Sequence, residues 1–282
     1  MKNEISSEQV KFYQDNGYVV IENFLEPTEL EVWRDAVDEG VAARGNSMSP
    51  GREGEQQRED GDDYFSNVFV LRYNLWMDND KVRKLILDPR LGKMACDLTG
   101  EDGMRIWHDQ ALIKQPWGNP TGWHLDNPYW SYHNPNALTI WVALDDATIE
   151  NGCMYFVPGA HKTAITDENS WEYLTQVQID DNVGALFNVY PHWADKKSVA
   201  VSMKAGSCSF HSGIMPHGAG ANMTPGSRRA MTCGYMPDGS TFNGLQNVLP
   251  DSYFKTLEVG DVLDNDDQNP LIYHASKLYV NG

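Results

Sequence analysis

The 282-residue sequence predicts a mainly β fold, a sandwich or jelly roll, with flanking α-helices. Three observations predict it. Short apolar or alternating runs recur between Met104 and Pro237, separated by Gly, Pro and Asn. The first hundred residues instead carry apolar positions at helical spacings of three and four. And 41% hydrophobic with 11% aromatic residues is enough to fill a substantial core, which excludes a disordered chain.

The elements follow in order. Ser7, followed by Glu8 to Tyr13, caps an amphipathic helix that Asn16-Gly17 ends. Tyr18 to Phe24 is rich in β-branched and aromatic residues and reads as a strand. Pro27-Thr28-Glu29-Leu30 opens a second helix, continued by Val32, Trp33, Ala36 and Val37. From Ala43 to Asp63 glycines, prolines and charges mix, and the segment reads as a loop long enough to act as a lid. Asp78 to Leu98 is helical with a break near Asp88-Pro89, and Thr99-Gly100 closes it. The strands expected beyond are 137–144, 154–157, 198–203, 207–210 and 230–235. No repeat and no composition break is present, so the chain reads as one domain, 1–282. It has a helix-rich part to about 103, a β core over about 104–237 and an acidic C-terminal extension of unclear order, 238–282.

The formal charge is −18, from 22 basic and 40 acidic residues, which disfavours nucleic acid as a partner. Four cysteines without a CxxC pair form no disulfide framework and read as buried thiols. The first residues lack the apolar stretch of a signal peptide, and no apolar run reaches the ~20 residues that span a bilayer. The reading is therefore a cytoplasmic chain, with no membrane or obligatory protein partner expected.

The chemistry concentrates in Gly122-Trp123-His124-Leu125-Asp126-Asn127. On an extended strand His124 and Asp126 would share a face, spaced to bind one metal ion. A third ligand must come from elsewhere. His217 is the best candidate, and spacing alone does not select it over His211. Two imidazoles and a carboxylate on one face form the facial triad of non-haem Fe(II) oxygenases, with positions left for co-substrate and O₂.

Further motifs give the pattern its specificity. In order they are Trp141 to Asp146, Glu150-Asn151-Gly152-Cys153-Met154, Pro158-Gly159-Ala160-His161-Lys162, Ala205-Gly206-Ser207 with Phe210-His211, and His217 to Asn222 followed by Arg228. Together with the HxD segment they resemble the phytanoyl-CoA dioxygenase family of Fe(II)/2-oxoglutarate oxygenases, from about Val10 to Pro237. The tail, Gly260-Asp261-Val262-Leu263 through Asn269-Pro270-Leu271, also looks like that of bacterial members.

The resemblance implies a double-stranded β-helix (jelly roll, cupin-like). It implies Fe(II) on His124, Asp126 and His217, with 2-oxoglutarate and O₂ as co-substrates and ascorbate in support. Arg228 matches the arginine that grips the distal carboxylate of 2-oxoglutarate; adjacent Arg229 is read as a surface charge. Trp141, Gln110 and Thr148, and more weakly Thr121, match positions around the co-substrate. His161 falls in a turn. The sequence has Ala219 where the family often has serine, which puts one co-substrate hydrogen bond in doubt. Related halogenases have a small residue at the position of Asp126, so the carboxylate implies hydroxylation or another oxidation.

Asn127, Tyr129, Trp130, Asn74 and Trp107 are the candidate substrate contacts, with Arg72, Trp76 and Tyr132 nearby in the sequence. The expected reaction oxidises a small organic metabolite and releases succinate and CO₂. Two alternatives stay open: a jelly-roll iron enzyme that does not use 2-oxoglutarate, and an inert binding protein of the same fold.

Overall fold

The computed structural model describes residues 1–52, 54–56, 64–166, 170–171 and 183–277. Residues 53 and 57–63 of the expected lid lie outside the described residues.

Four helices come first in the chain: α1 (Ser7–Asn16), α2 (Pro27–Arg44), α3 (Asp80–Ile86) and α4 (Pro89–Thr99). Their ends follow from local chemistry. The cap of α1 is Ser6, not Ser7. Its hydroxyl accepts from the Gln9 amide while the Gln9 side chain accepts from the Ser6 amide. The Asn79 and Asp88 side chains cap α3 and α4 by accepting from first-turn amides, and the proline at 89 separates the two helices.

The strands are β1 (Tyr18–Ile21), β2 (Val70–Tyr73), β3 (Gly103–Lys114), β4 (Thr121–His124), β5 (Leu138–Ala143), β6 (Met154–Phe156), β7 (Val199–Val201), β8 (Cys208–Ser212), β9 (His217–Ala219), β10 (Arg228–Pro237) and β11 (Leu271–His274). One sheet runs β1-β8-β5-β10-β3-β11, with β2 also on β3; the other runs β4-β9-β6-β7. All pairings are antiparallel, as a jelly roll requires.

Strand alternation sorts the core into two layers. On β10, Met231, Cys233 and Tyr235 face the helices, packing with residues such as Trp33, Val37, Leu91 and Ala95. Ala230 faces the small sheet, with Trp141, Met154, Phe156 and Ala219. Arg228 and Thr232 have the parity of Ala230 and point between the sheets. Each fully buried Leu, Ile or Phe contributes roughly 1.5–3 kcal/mol, so these layers hold the sheets as a rigid frame.

The C-terminal segment departs from expectation, because it is tied down. β11 pairs with β3, Arg105 on β3 binds Asp238 and Asp266, and Phe242, Val248, Leu249 and Leu263 pack on Trp107, Trp130 and Tyr132. Its acidic look misleads: two of the carboxylates neutralise a buried arginine, and sparse apolar residues make the contact. All four cysteines are buried and free. Among the described residues no helix is long and apolar enough to cross a membrane.

Candidate metal centre and its cavity

β4 and β9 pair so that His124 lies directly opposite His217. Their ring centroids are 4.1 Å apart. β4 ends at His124, and Asp126 has a helical backbone (φ −75°, ψ −49°) that opens the 3-10 turn Asn127–Tyr129. The expected strand alternation therefore does not bring His124 and Asp126 together; a turn does. Asp126 Oδ1 sits 3.5 Å from His124 Nε2 and 3.6 Å from His217 Nε2. The three ligand atoms lie within 4.8 Å of one another, and no other described group of three such residues converges in this way.

The neighbours prepare these atoms for a metal. His124 Nδ1 donates to the Gly122 carbonyl at 2.8 Å, and His217 Nδ1 donates to the Met215 carbonyl at 2.9 Å. Each imidazole thereby keeps its Nε2 lone pair free, and the ring is fixed. Burial, then the proximity of His124, holds His217 well below the ordinary histidine range, so it is neutral. Burial raises the Asp126 carboxyl, but His217, His124 and His211 together outweigh it and hold the group well below its usual value. The donor set is two imidazoles and one carboxylate, the composition that suits an open-sided ferrous site.

His211 sits across the sandwich on β8. Its Nε2 lies 3.3 Å from Asp126 Oδ2, the oxygen turned away from the other two histidines. Thr139, its register partner on β5, donates to the same oxygen at 2.8 Å. His211 and Thr139 thus hold the outer oxygen of Asp126 while Oδ1 faces His124 and His217.

The triad opens into a cavity of about 180 Å³ whose lining also includes Gln110, Thr121, Trp141 and Arg228. The Arg228 side chain is buried, with its guanidinium 5.1 Å from the Trp141 ring centroid. Among the described residues its Nε and Nη1 have no hydrogen-bond partner, and neither does Thr121 Oγ1. Burial lowers the Arg228 pKa to about 10, and the group stays charged. A buried cation with unused donors is costly unless an anion meets it. A bound carboxylate would supply that partner with two parallel charge-assisted bonds. The residues therefore fit a metal with an anionic co-substrate beside it. Gln110, Thr232 and Trp141 lie in one row across β3, β10 and β5, and Thr232 donates to Gln110 Oε1 at 3.0 Å. Phe69, Leu71, Tyr73 and Leu112 add an apolar wall.

Other expected residues lie elsewhere. Thr148 does not line this cavity; its amide donates to Asn151 Oδ1 at 2.7 Å within a turn. Asn127 braces the loop after the triad, accepting from the Asn134 amide. Trp107 and Trp130 belong to the cluster beneath the C-terminal segment, and Trp107 Nε1 donates to Asn247. Asn74, in the left-handed conformation, accepts from Trp76 Nε1. Tyr129 ends the 3-10 turn. None of these five lines the cavity at the metal centre. Arg229 is more than a surface charge: it makes two bonds to Asp145 and one to Asp38, tying β10 to α2. His161 Nε2 donates to the Gln14 carbonyl from the turn Ala160–Thr163. Sequence reasoning missed Thr139, although it lies two residues before Trp141 on the same strand face.

The model of the family named Phytanoyl-CoA dioxygenase (PhyH) matches residues 13–230. A phytanoyl-CoA dioxygenase of Arabidopsis thaliana is 25% identical over 254 residues, covering 80% of this chain and 87% of its own. The crystal structure of SnoK, a non-haem α-ketoglutarate-dependent carbocyclase from nogalamycin biosynthesis, is 29% identical with a TM-score of 0.76, covering 95% of this chain and 96% of its own. That of the epimerase SnoN, in complex with Fe³⁺, α-ketoglutarate and nogalamycin RO, is 26% identical with a TM-score of 0.73, covering 94% and 97%. Fold, triad and cavity together define a non-haem, Fe(II)- and 2-oxoglutarate-dependent dioxygenase acting on a small molecule. The chain belongs to the phytanoyl-CoA dioxygenase family.

Proposed function

We propose that His124, Asp126 and His217 hold the ferrous ion, that Arg228 grips the distal carboxylate of 2-oxoglutarate, and that the enzyme hydroxylates or otherwise oxidises a small organic metabolite. The observation that carries this reading is the buried Arg228 guanidinium, with two unpartnered nitrogens in the same cavity as the triad. Thr121 Oγ1 is a further free group for the co-substrate, and Trp141 forms its floor.

Bound there, Fe(II) with 2-oxoglutarate and O₂ supplies an oxidant strong enough to take hydrogen from a C–H bond, leaving succinate and CO₂. The chain's own residues do the rest. His124 and His217 would offer Nε2 to the ion, because their Nδ1 protons are engaged by Gly122 and Met215. Asp126 would supply the third ligand, occupying the position that a halide would need. Thr139 and His211 keep its second oxygen occupied. Phe69, Leu71, Tyr73 and Leu112 exclude water from one side and favour a substrate with an apolar portion. SnoK and SnoN, a carbocyclase and an epimerase, motivate including oxidations other than hydroxylation.

The four buried free thiols support a reducing, cytoplasmic setting, and the charge of −18 argues against polyanionic partners. The test is uncoupled turnover. With Fe(II), ascorbate and O₂ the protein should convert 2-oxoglutarate to succinate, and Arg228→Ala should abolish this at equal metal loading. Succinate formation unchanged in Arg228→Ala would defeat the assignment.

A further inference from the structure

The co-substrate cavity has a second buried cation behind it. Lys114, the last residue of β3, is the register partner of Arg228 on β10, so both side chains leave the same face of the sheet. Both are almost fully buried, at 0% and 1% exposure. Lys114 Nζ donates to the Asn119 carbonyl at 2.6 Å and lies 4.6 Å from the centre of the Phe69 ring. Phe69 itself lines the cavity. Neither cation forms an ion pair with a described carboxylate.

Among the described residues, the surroundings of Lys114 offer no other charge to balance it. β10 contributes Arg228; Arg229 points to the opposite face and is engaged by Asp145 and Asp38. The loop after β3 contributes only the Asn119 carbonyl, and the segment before β2 the Phe69 ring. Asn222 reaches the Lys114 backbone carbonyl, not its amine. On the turn ahead of β6, Glu150 is exposed to solvent, and burial pushes the Cys153 thiol up, so it carries no charge. Two adjacent buried cations without an anion are strongly disfavoured, and lysine, unlike arginine, can relieve this by losing its proton.

We propose that Lys114 couples co-substrate binding to proton uptake: neutral beside Arg228 in the free protein, it gains a proton when the distal carboxylate seats on Arg228. This rests on the reading of Arg228 as the carboxylate anchor. In the free protein, burial and then the Arg228 charge push Lys114 down to about 7. The arriving carboxylate leaves the burial in place but offsets the Arg228 charge, the second of the two causes, and so shifts the lysine back towards protonation.

The test is calorimetry on Mn(II)-loaded protein at pH 8, titrated with 2-oxoglutarate in buffers of different ionisation enthalpy. With a pKa of about 7, Lys114 is about nine-tenths neutral at pH 8, so proton uptake should be measurable, up to about 0.9 per 2-oxoglutarate. Titration with 2-oxobutyrate, which keeps the keto-acid head but lacks the distal carboxylate, should take up nearly none. Lys114→Met should still bind 2-oxoglutarate but lose the uptake. Equal proton counts for the two ligands, or an unchanged count in Lys114→Met, would overturn the proposal. Failure of 2-oxoglutarate to bind would instead overturn the anchor reading beneath it. The two wild-type titrations decide the matter even if the variant does not fold.

Discussion

Replacing Arg228 with methionine should separate binding from stability in opposite directions. The side chain is buried, stacked near Trp141, with Nε and Nη1 unpartnered. If those donors make two charge-assisted bonds to the distal carboxylate, each contributes about 1.5–3 kcal/mol. Their loss removes about 3–6 kcal/mol, which is roughly 10²- to 10⁴-fold in 2-oxoglutarate affinity. Without co-substrate the same change removes an unpaired buried charge and keeps most of the apolar volume, so the ligand-free variant should melt at or above the parent temperature. Calorimetric titration of metal-loaded protein with 2-oxoglutarate reads the first effect, and thermal unfolding without ligand reads the second. Affinity within threefold of the parent would refute the role of Arg228. A large affinity loss with a fall in melting temperature would mean that the arginine is structural.

Further outcomes follow from the same geometry. Thr139→Val removes one of the two contacts on Asp126 Oδ2 and should weaken Fe(II) affinity about 10- to 100-fold in competition with a chelator; unchanged affinity would exclude that bracing role. Lys114 has its pKa depressed to about 7 in the folded state, against about 10.4 unfolded. Over that window the unfolded chain holds the extra proton, so stability of the ligand-free protein should rise with pH between about 7 and 10, by up to ~1.4 kcal/mol per pH unit. Urea unfolding across that range should show this slope, and Lys114→Met should flatten it. A Cβ at Gly92 on α4 would lie 2.7 Å from Tyr273 Cβ and 2.9 Å from Ile272 Cγ2 of β11. Gly92→Ala should therefore cost about 1–3 kcal/mol in urea unfolding, and an unchanged midpoint would mean that β11 does not dock on α4.

The helices and central strands were legible because their signals are local. Proline at 27 and 89 and the nearly continuous apolar run 138–143 announce themselves within a few residues. The site was legible only in part. His124 and Asp126 are neighbours in sequence, and they do converge, but through a turn and not through the expected strand alternation. His217 and His211 could not be told apart by spacing, since what separates them is pairing: His217 lies opposite His124 on β9, whereas His211 lies on the other sheet, against the outer oxygen of Asp126. Trp107, Trp130 and Asn127 looked like pocket residues because aromatic and amide side chains serve cores and pockets equally. The tail hid its packing contacts among acidic residues that partner Arg105 across more than a hundred positions.

Anaerobic titration of the protein with Fe(II) in the presence of 2-oxoglutarate tests the central claim most directly. A keto acid chelating ferrous iron gives a visible charge-transfer absorption, so the band reports metal and co-substrate on one site. The account predicts a band that saturates at one iron per chain, is lost in His124→Ala and His217→Ala, and persists in His211→Gln. A band that survives His217→Ala and disappears in His211→Gln would contradict it.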